Sequence, residues 1–427
     1  MNTDSTYPKI RFPEFRDSGS WSTIRLGDCL LQAPDYGLNA PAVPYSDKLP
    51  TYIRITDIAD NGTFLSNNKM SVDAELTDDN SLHEGDIVLA RTGASVGKAY
   101  KYRTKDGQLI FAGFLIRIRP NQQKCISEYI YQYFFTPSFK EWVHITSARS
   151  GQPGINSKEY SSLLIPYTTI LPEQQKIADC LSSLDDYIDE TKRKLEQLRV
   201  HKKGLIQQLF PTRGKTVPKL RFPEFQDTVE WTIKTLGMIG DTYGGLSGKS
   251  AEDFGAGKPY VTYKQVFDSL EIDTSACLQV QIEDNEKQNT LQYGDVLVTM
   301  SSETPEEVGY IAVVTNKNIP ECYLNSFCFI YRLFNNESID AKFLIYLFSS
   351  ETYRSEVVRI AQGITRFNIS KTKFKEIELA IPETKKEQRK IATALASIDK
   401  QLTEYDKKIK ALGLHKKGLM QQLFPKL

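Results

Sequence analysis

Two stretches place a lysine behind a glycine turn: GASVGK (Gly93–Lys98) and GGLSGKS (Gly244–Ser250). A loop that wraps a phosphate needs four residues between its glycines, so that successive backbone N–H groups close round the anion. Both stretches have three, and GASVGK lacks the following Ser or Thr that would hold magnesium. They read as basic, donor-rich loops, not as nucleotide cradles. Methyl transfer to a DNA base would call for a glycine-rich cofactor loop and an Asn/Asp-Pro-Pro-aromatic site. FGAG (Phe254–Gly257) has the wrong spacing, and no Pro-Pro pair occurs. Nucleophile-elbow and HExxH patterns are missing as well. The six cysteines form no CxxC pair and no ligand spacing with the four histidines, so they read as buried thiols of a reducing cytoplasm. The expectation is a chain with no catalytic residue, no metal site and no cofactor of its own.

Composition agrees with a globular protein of two or three domains: 427 residues, 40% hydrophobic and 25% charged. The N-terminus, MNTDSTYPKIRF, has no apolar core for a signal peptide, and no run approaches the roughly 20 apolar residues of a membrane span. No membrane partner is expected. The net charge of +1 argues against a protein that grips nucleic acid alone, since such domains are usually basic.

What must position any functional residue is a duplicated frame. HKKGLIQQLFP (His201–Pro211) returns as HKKGLMQQLFP (His415–Pro425), an offset of 214 residues. PKIRFPEF (Pro8–Phe15) returns as PKLRFPEF (Pro218–Phe225), and WSTIRLG (Trp21–Gly27) as WTIKTLG (Trp231–Gly237). LHEGDIVLA (Leu82–Ala90) is echoed by LQYGDVLVT (Leu291–Thr299), and EQQKIADCLSSLD (Glu173–Asp185) by EQRKIATALASID (Glu387–Asp399). Between these marks the copies diverge, as Arg91-Thr-Gly-Ala-Ser against Met300-Ser-Ser-Glu-Thr illustrates. One frame therefore presents two different surfaces.

Each copy ends in a long helix with a heptad seam. Ile177, Leu181, Leu184, Ile188, Thr191, Leu195, Leu198, Lys202, Leu205 and Leu209 alternate steps of four and three. Ile391, Leu395, Ile398, Leu402, Tyr405, Ile409, Leu412, Lys416, Leu419 and Leu423 repeat the pattern. A helix that only packed on its own domain would drift at 3.6 residues per turn, whereas a strict 3.5 specifies a coiled coil. Pro172 and Glu173 suit a first turn, Thr384 with Glu387 makes a capping box, and Pro211 and Pro425 end the helices. Acidic residues crowd the first half of helix one and lysines the second half of helix two, which favours antiparallel pairing.

The expected fold class is α+β: two mixed α/β domains separated by two long helices in an antiparallel coiled coil, with a pseudo-twofold internal repeat. The expected divisions are a lead-in (1–20), a first domain (21–170), helix one (171–211), a linker with the second lead-in (212–230), a second domain (231–383) and helix two (384–427). Strands are predicted over Thr51–Ala59, Asp86–Ala90, Leu109–Pro120, Asp295–Met300 and Phe327–Phe334, with one helix per domain near Ser127–Val143 and Ile339–Ala361.

This combination resembles the specificity subunit of a type I restriction-modification system. The resemblance rests on the RFPEF lead-ins, the LPEQQKIADCLSSLD and KKEQRKIATALASID helix starts, the HKKGL-QQLFP helix ends and the two variable domains. It implies that each domain reads one half of a bipartite double-stranded DNA target. It further implies that two methylation subunits, carrying S-adenosylmethionine, dock on the helices. Restriction subunits with ATP and magnesium would join that core, in the cytoplasm. A standalone two-site DNA-binding protein and a tandem protein-binding scaffold are the other readings.

Base edges and phosphates are met by Arg, Lys, Asn, Gln, Ser and Thr on loops. In the first domain such candidates are Arg91, Thr92, Ser95 and Lys98, with Arg149, Ser150, Gln152, Asn156 and Lys158 from a second loop. In the second they are Thr365, Arg366, Asn368 and Lys371, with Lys249, Lys264, Ser301 and Ser302. Lys202, Lys203, Gly204, Lys416, Lys417 and Gly418 are the candidate partner-binding positions. A glycine inside a helix costs about 1 kcal/mol relative to alanine. Gly204 and Gly418 therefore suggest close approach of another backbone, either the RFPEF lead-in or a methylation-subunit helix, unless they are tolerated drift.

Overall fold

The computed structural model describes residues 7–148 and 152–426, apart from the side chain of Asp78. The chain divides into two compact units, residues 1–193 with 407–427 and residues 194–406. Each contains one mixed domain, the start of its own long helix and the end of the other copy's helix.

In the first unit a four-stranded antiparallel sheet runs in the order Asp35–Tyr36, Leu115–Ile118, Ile87–Ala90, Ala99–Lys101. Beside it stands a sheet of Ala42–Pro44, Met70–Val72, Thr51–Ile53 and Leu109–Phe111, whose last pair is parallel. The second unit repeats the antiparallel sheet as Gly240–Gly244, Cys328–Leu333, Val296–Thr299, Ile311–Val313. Its other sheet keeps a parallel pair too, Phe254–Val261 with Tyr323–Leu324. A two-stranded ribbon closes each domain: Ser22–Arg25 with Leu164–Tyr167, and Thr232–Thr235 with Glu378–Ile381.

The repeated Gly-Asp dipeptide has a local cause. Gly85 and Gly294 turn at φ +92° and +87°, which a side chain would resist. Asp86 and Asp295 then accept the N–H groups of His83 (3.0 Å) and Gln292 (2.7 Å), fixing the entry to the central strand. Burial pushes both carboxyls above the usual range, against the pull of those N–H groups and of neighbouring arginines.

Four predicted elements are shorter than the sequence pattern suggests. Leu109–Pro120 is two strands, broken by a turn at Ala112–Phe114. Thr51–Ala59 is a strand only to Ile53 and then a 3-10 turn, Ile55–Asp57. Each predicted domain helix is a pair: Ser127–Tyr133 with Pro137–Ser147, and Ala341–Leu347 with Glu351–Ile360. Thr136 caps the helix that Pro137 begins, and Ser350 caps its counterpart, so the chain restarts where one helix had been expected.

The long helices run Leu171–Leu209 and Lys385–Leu423, 39 residues each, and the prolines lie just beyond their ends. Every seam position is buried or half-buried. In the first unit Asp185 meets Lys416 (2.6 Å) and Tyr187 lies under Lys408; in the second Lys202 meets Asp399 and Arg199 meets Asp406 (3.5 Å). Partner numbers fall as helix-one numbers rise, so the pairing in both units is antiparallel.

The helices are also part of the domain cores. Ile177, Ala178 and Leu181 join Met420, Leu423 and Phe424 in the first domain's core. Ile391, Ala392 and Leu395 join Leu209 and Phe210 in the second's. Phe424 packs on Tyr129 (5.1 Å between ring centroids) and Tyr133 (5.7 Å), and Phe210 on Trp231 (6.0 Å) and Phe343 (5.6 Å). The repeated LFP is thus a plug: the end of each copy's helix seals the other copy's domain.

Candidate nucleic-acid interface

The frame that carries the variable loops is built twice from the same contacts. Arg11 and Arg221 of the RFPEF lead-ins each form a bidentate pair with the glutamate of the helix start. The distances are 2.6 and 2.9 Å to Glu173, and 2.7 and 2.8 Å to Glu387. These pairs are nearly fully buried, and the remaining guanidinium protons go to backbone carbonyls at Ser18 and Gly19 or at Thr228 and Val229. Phe12 and Phe222 lie under Lys176 and Lys390, which also pair with Glu14 and Glu224. The next residue, Gln174 or Gln388, accepts the N–H at the head of a domain helix, from Ile126 or Asp340. Thr384 does accept the Glu387 N–H, but the Glu387 side chain turns to Arg221 and Trp231, so only half of the expected capping box forms.

At the far end of each helix the repeated lysine carries a second tie. Asp185, held by Lys416, also accepts from Gln132, while Asp399, held by Lys202, accepts from Tyr346 (2.8 Å). Burial first, and then the Asp399 carboxylate, push the Tyr346 hydroxyl up. The lead-in reaches the helix end at Gln422 and Gln208, whose carbonyls accept from Ile10 (3.1 Å) and Leu220 (2.9 Å). Gly204 and Gly418 face open space: a Cβ on either would meet nothing within 4 Å. The lead-in therefore does not explain the glycines, a correction to one of the two expected approaches. Lys203 and Lys417 are exposed beside them.

On this frame the two predicted loops of the first domain, about sixty residues apart in sequence, come together. Gly93 donates to the Pro153 carbonyl (2.9 Å), Ile155 donates to the Arg91 carbonyl (2.8 Å), and Tyr160 anchors the strand end at the Ala90 carbonyl. The Arg91 guanidinium lies 4.7 Å from the centre of the Tyr36 ring. Burial disfavours ionisation of that phenol, but the Ser157 hydrogen bond and the Arg91 charge hold it below its ordinary value. Gln152 and Lys158 are exposed, and Thr92 and Ser95 half-buried. Lys98 pairs with Asp60 (2.7 Å), and the Asn156 side chain caps a short helix by accepting from Glu159 (3.0 Å). Arg149 and Ser150 lie outside the described residues.

The second domain has the same junction with other side chains. Ser301–Ser302 pair with Phe367–Asn368, and Ile369 donates to the Met300 carbonyl (3.0 Å). The segment from Gly363 to Arg366 forms an exposed tip, closed by reciprocal bonds between Gln362 and Asn368. Thr365, Arg366 and Asn368 are exposed there, and Ile364 is 96% exposed. Lys371 is half-buried, and Lys264 is exposed on the short helix whose Tyr263 bonds the Ser301 carbonyl. Ser301 and Ser302 are buried beneath the tip, and the side chain of the half-buried Lys249 is 6% exposed and paired with Glu286. These three support their loops from within. Three exposed aromatic residues, Tyr36, Phe114 and Phe327, stand beside the loops, and polar residue types in the sequence give no sign of them.

The geometry is that of two duplicated α+β domains on antiparallel helix pairs, with divergent loops at one junction. The chain matches the family described as Type I restriction modification DNA specificity domain, over residues 43–200 and 228–412, and it belongs to that family. It is 25% identical over 425 residues to the type I restriction enzyme MjaVIII specificity subunit of Methanocaldococcus jannaschii, covering 97% of this chain and 93% of that one. The putative MjaX specificity subunit of the same organism is 24% identical over 79% of this chain and 77% of its own. Among solved structures, the S subunit of a type I restriction-modification system from M. genitalium shares the fold. Its TM-score is 0.57 at 17% identity, over 98% of this chain and 99% of that one. Among the described residues no group of His, Cys, Asp or Glu could hold a metal ion, and no helix is long and apolar enough to cross a membrane.

Proposed function

We infer that this chain is the DNA specificity subunit of a type I restriction-modification complex and not an enzyme itself. Each domain reads one half of a bipartite target in double-stranded DNA. The reading is carried by one observation: one frame, built twice, holds two different loop junctions at the same place. A scaffold that must bind one partner twice would keep those junctions alike, whereas a reader of two unlike half-sites must vary them. Arg91, Gln152 and Lys158 serve the first half-site, and Thr365, Arg366, Asn368 and Lys264 the second. The helix surface at the exposed Lys203 and Lys417, beside the half-buried Gly204 and Gly418, takes two methylation subunits, which bring S-adenosylmethionine. Restriction subunits bring ATP and magnesium, and the whole works in the cytoplasm.

The helices set the distance between half-sites. Deleting one heptad from each, Thr191–Gln197 with Tyr405–Ala411, keeps the seam in phase and shortens it by about 10 Å at 1.5 Å per residue. The test is methylation of a library with randomised half-sites and spacers, by the chain co-purified with methylation subunits. A bipartite target is expected, with a spacer that becomes shorter after the heptad deletion. Methylation by the chain alone would refute the division of labour, and an unchanged spacer would refute the ruler.

A further inference from the structure

Inside the inserts, where sequence agreement between the copies is sparse, an exposed phenylalanine is shared. Phe114 and Phe327 occupy the same turn, leading into the strand Leu115–Ile118 in one unit and Cys328–Leu333 in the other. The carbonyl of each accepts the N–H that opens the reading loop, Arg91 and Met300, both at 3.0 Å. A glycine clamps the turn in both units. A Cβ on Gly37 would stand 2.3 Å from the Phe111 and Ala112 carbonyl oxygens, and one on Gly245 would stand 2.0 Å from that of Asn325. Neither glycine is left-handed, so close backbone approach is what demands it. The turn is held rigidly, yet the rings it carries are 59% and 56% exposed.

Duplication supplies an internal control. Residues that differ between two readers can encode two sequences, but a side chain kept the same in both cannot distinguish one half-site from the other. The phenyl rings therefore suit a task that is independent of sequence. Gripping phosphate is such a task, but it needs cations or N–H donors, which phenylalanine lacks. Pressing an apolar face against a base-pair step is another, and it needs an exposed ring on a stiff support. A cation stands by in the second unit, where the Arg366 guanidinium is 6.0 Å from the Phe327 ring centre.

We propose that Phe114 and Phe327 are apolar wedges, each pressing on a base-pair step within its half of the DNA target and deforming the duplex alike in both halves. This rests on the DNA-reading role above. The test uses the full complex with methylation subunits and duplexes carrying a single 2-aminopurine at successive positions of the selected target. The intact complex should brighten one position in each half-site. Phe114→Ala should abolish the first signal only and weaken binding about tenfold, the cost of one lost stacking contact. Phe327→Ala should do the same in the second half, and Phe114→Tyr should restore both signal and affinity. The methylated library should return the same bases throughout.

Three results would overturn the wedge: alanine variants that bind and brighten like the parent, a changed base in the library, or loss of methylation subunits from the complex. The last would make the rings a protein contact. If the unmodified complex selects no bipartite target, the reading role itself fails and the wedge falls with it. If it selects one and the variants behave as the parent, only the wedge falls.

Discussion

The two units agree wherever the chain must be held and differ over most of the loop surface that they present. Arg11–Glu173 and Arg221–Glu387 are the same bond, as are Asp185–Lys416 and Lys202–Asp399. Yet Arg91 stacked on Tyr36 opens one variable loop, and Met300 with a protruding tip at Gly363–Arg366 opens the other. A buried bidentate pair tolerates little change, because removing one partner strands a charge in a site without water. An exposed loop whose backbone is already satisfied can exchange its side chains at small cost to the fold. On the proposed function, the difference lets specificity drift while assembly does not.

The comparison breaks most forcefully at the plugs. Phe424→Ala should cost the first unit about 3–5 kcal/mol, the usual price of emptying a phenylalanine site in a core. Phe210→Ala should do the same to the second unit. Hydrogen exchange on each variant checks this, with protection falling mainly in the unit whose plug was cut. Equal losses in both units would mean that the cores are not sealed separately.

The seam ions come next. Asp185→Ala leaves Lys416, whose side chain is 14% exposed, without its partner. The loss should fall between about 1 kcal/mol for a surface pair and about 3 kcal/mol for a buried one. Reversing the pair, Asp185→Lys with Lys416→Asp, should recover much of it by denaturant titration. No recovery would assign the effect to Gln132, the other donor to Asp185.

The smallest effect is expected at the helix glycines. With open space where a Cβ would stand, Gly204→Ala should stabilise the isolated chain by about 1 kcal/mol. Co-purification of methylation subunits should weaken in the same variant. Stability gained with assembly intact would make the glycine mere drift.

Much of this was legible in the sequence, and the reasons differ from place to place. The seam was readable because its period is written in spacing alone. The plugs were not, because a phenylalanine after a heptad run does not say which domain it enters. Thr136-Pro137 carried a cap and a helix start, but the apolar pattern on both sides hid the break. Lys249 looked free because Glu286 lies in a loop 37 residues on. Arg91 and Asn156 were read as loop residues without any sign that their loops join. Phe114 was invisible as a surface residue, since a strand pattern makes every apolar side chain look internal.

The central claim is that two independent readers hang on one repeated frame. Replacing residues 22–166 with the corresponding insert of another family member tests it most directly. The readout is methylation of a randomised target library by the complete complex. One half of the recognised target should change and the other should stay the same. A change in both halves, or loss of identity in the half that was left alone, would contradict it.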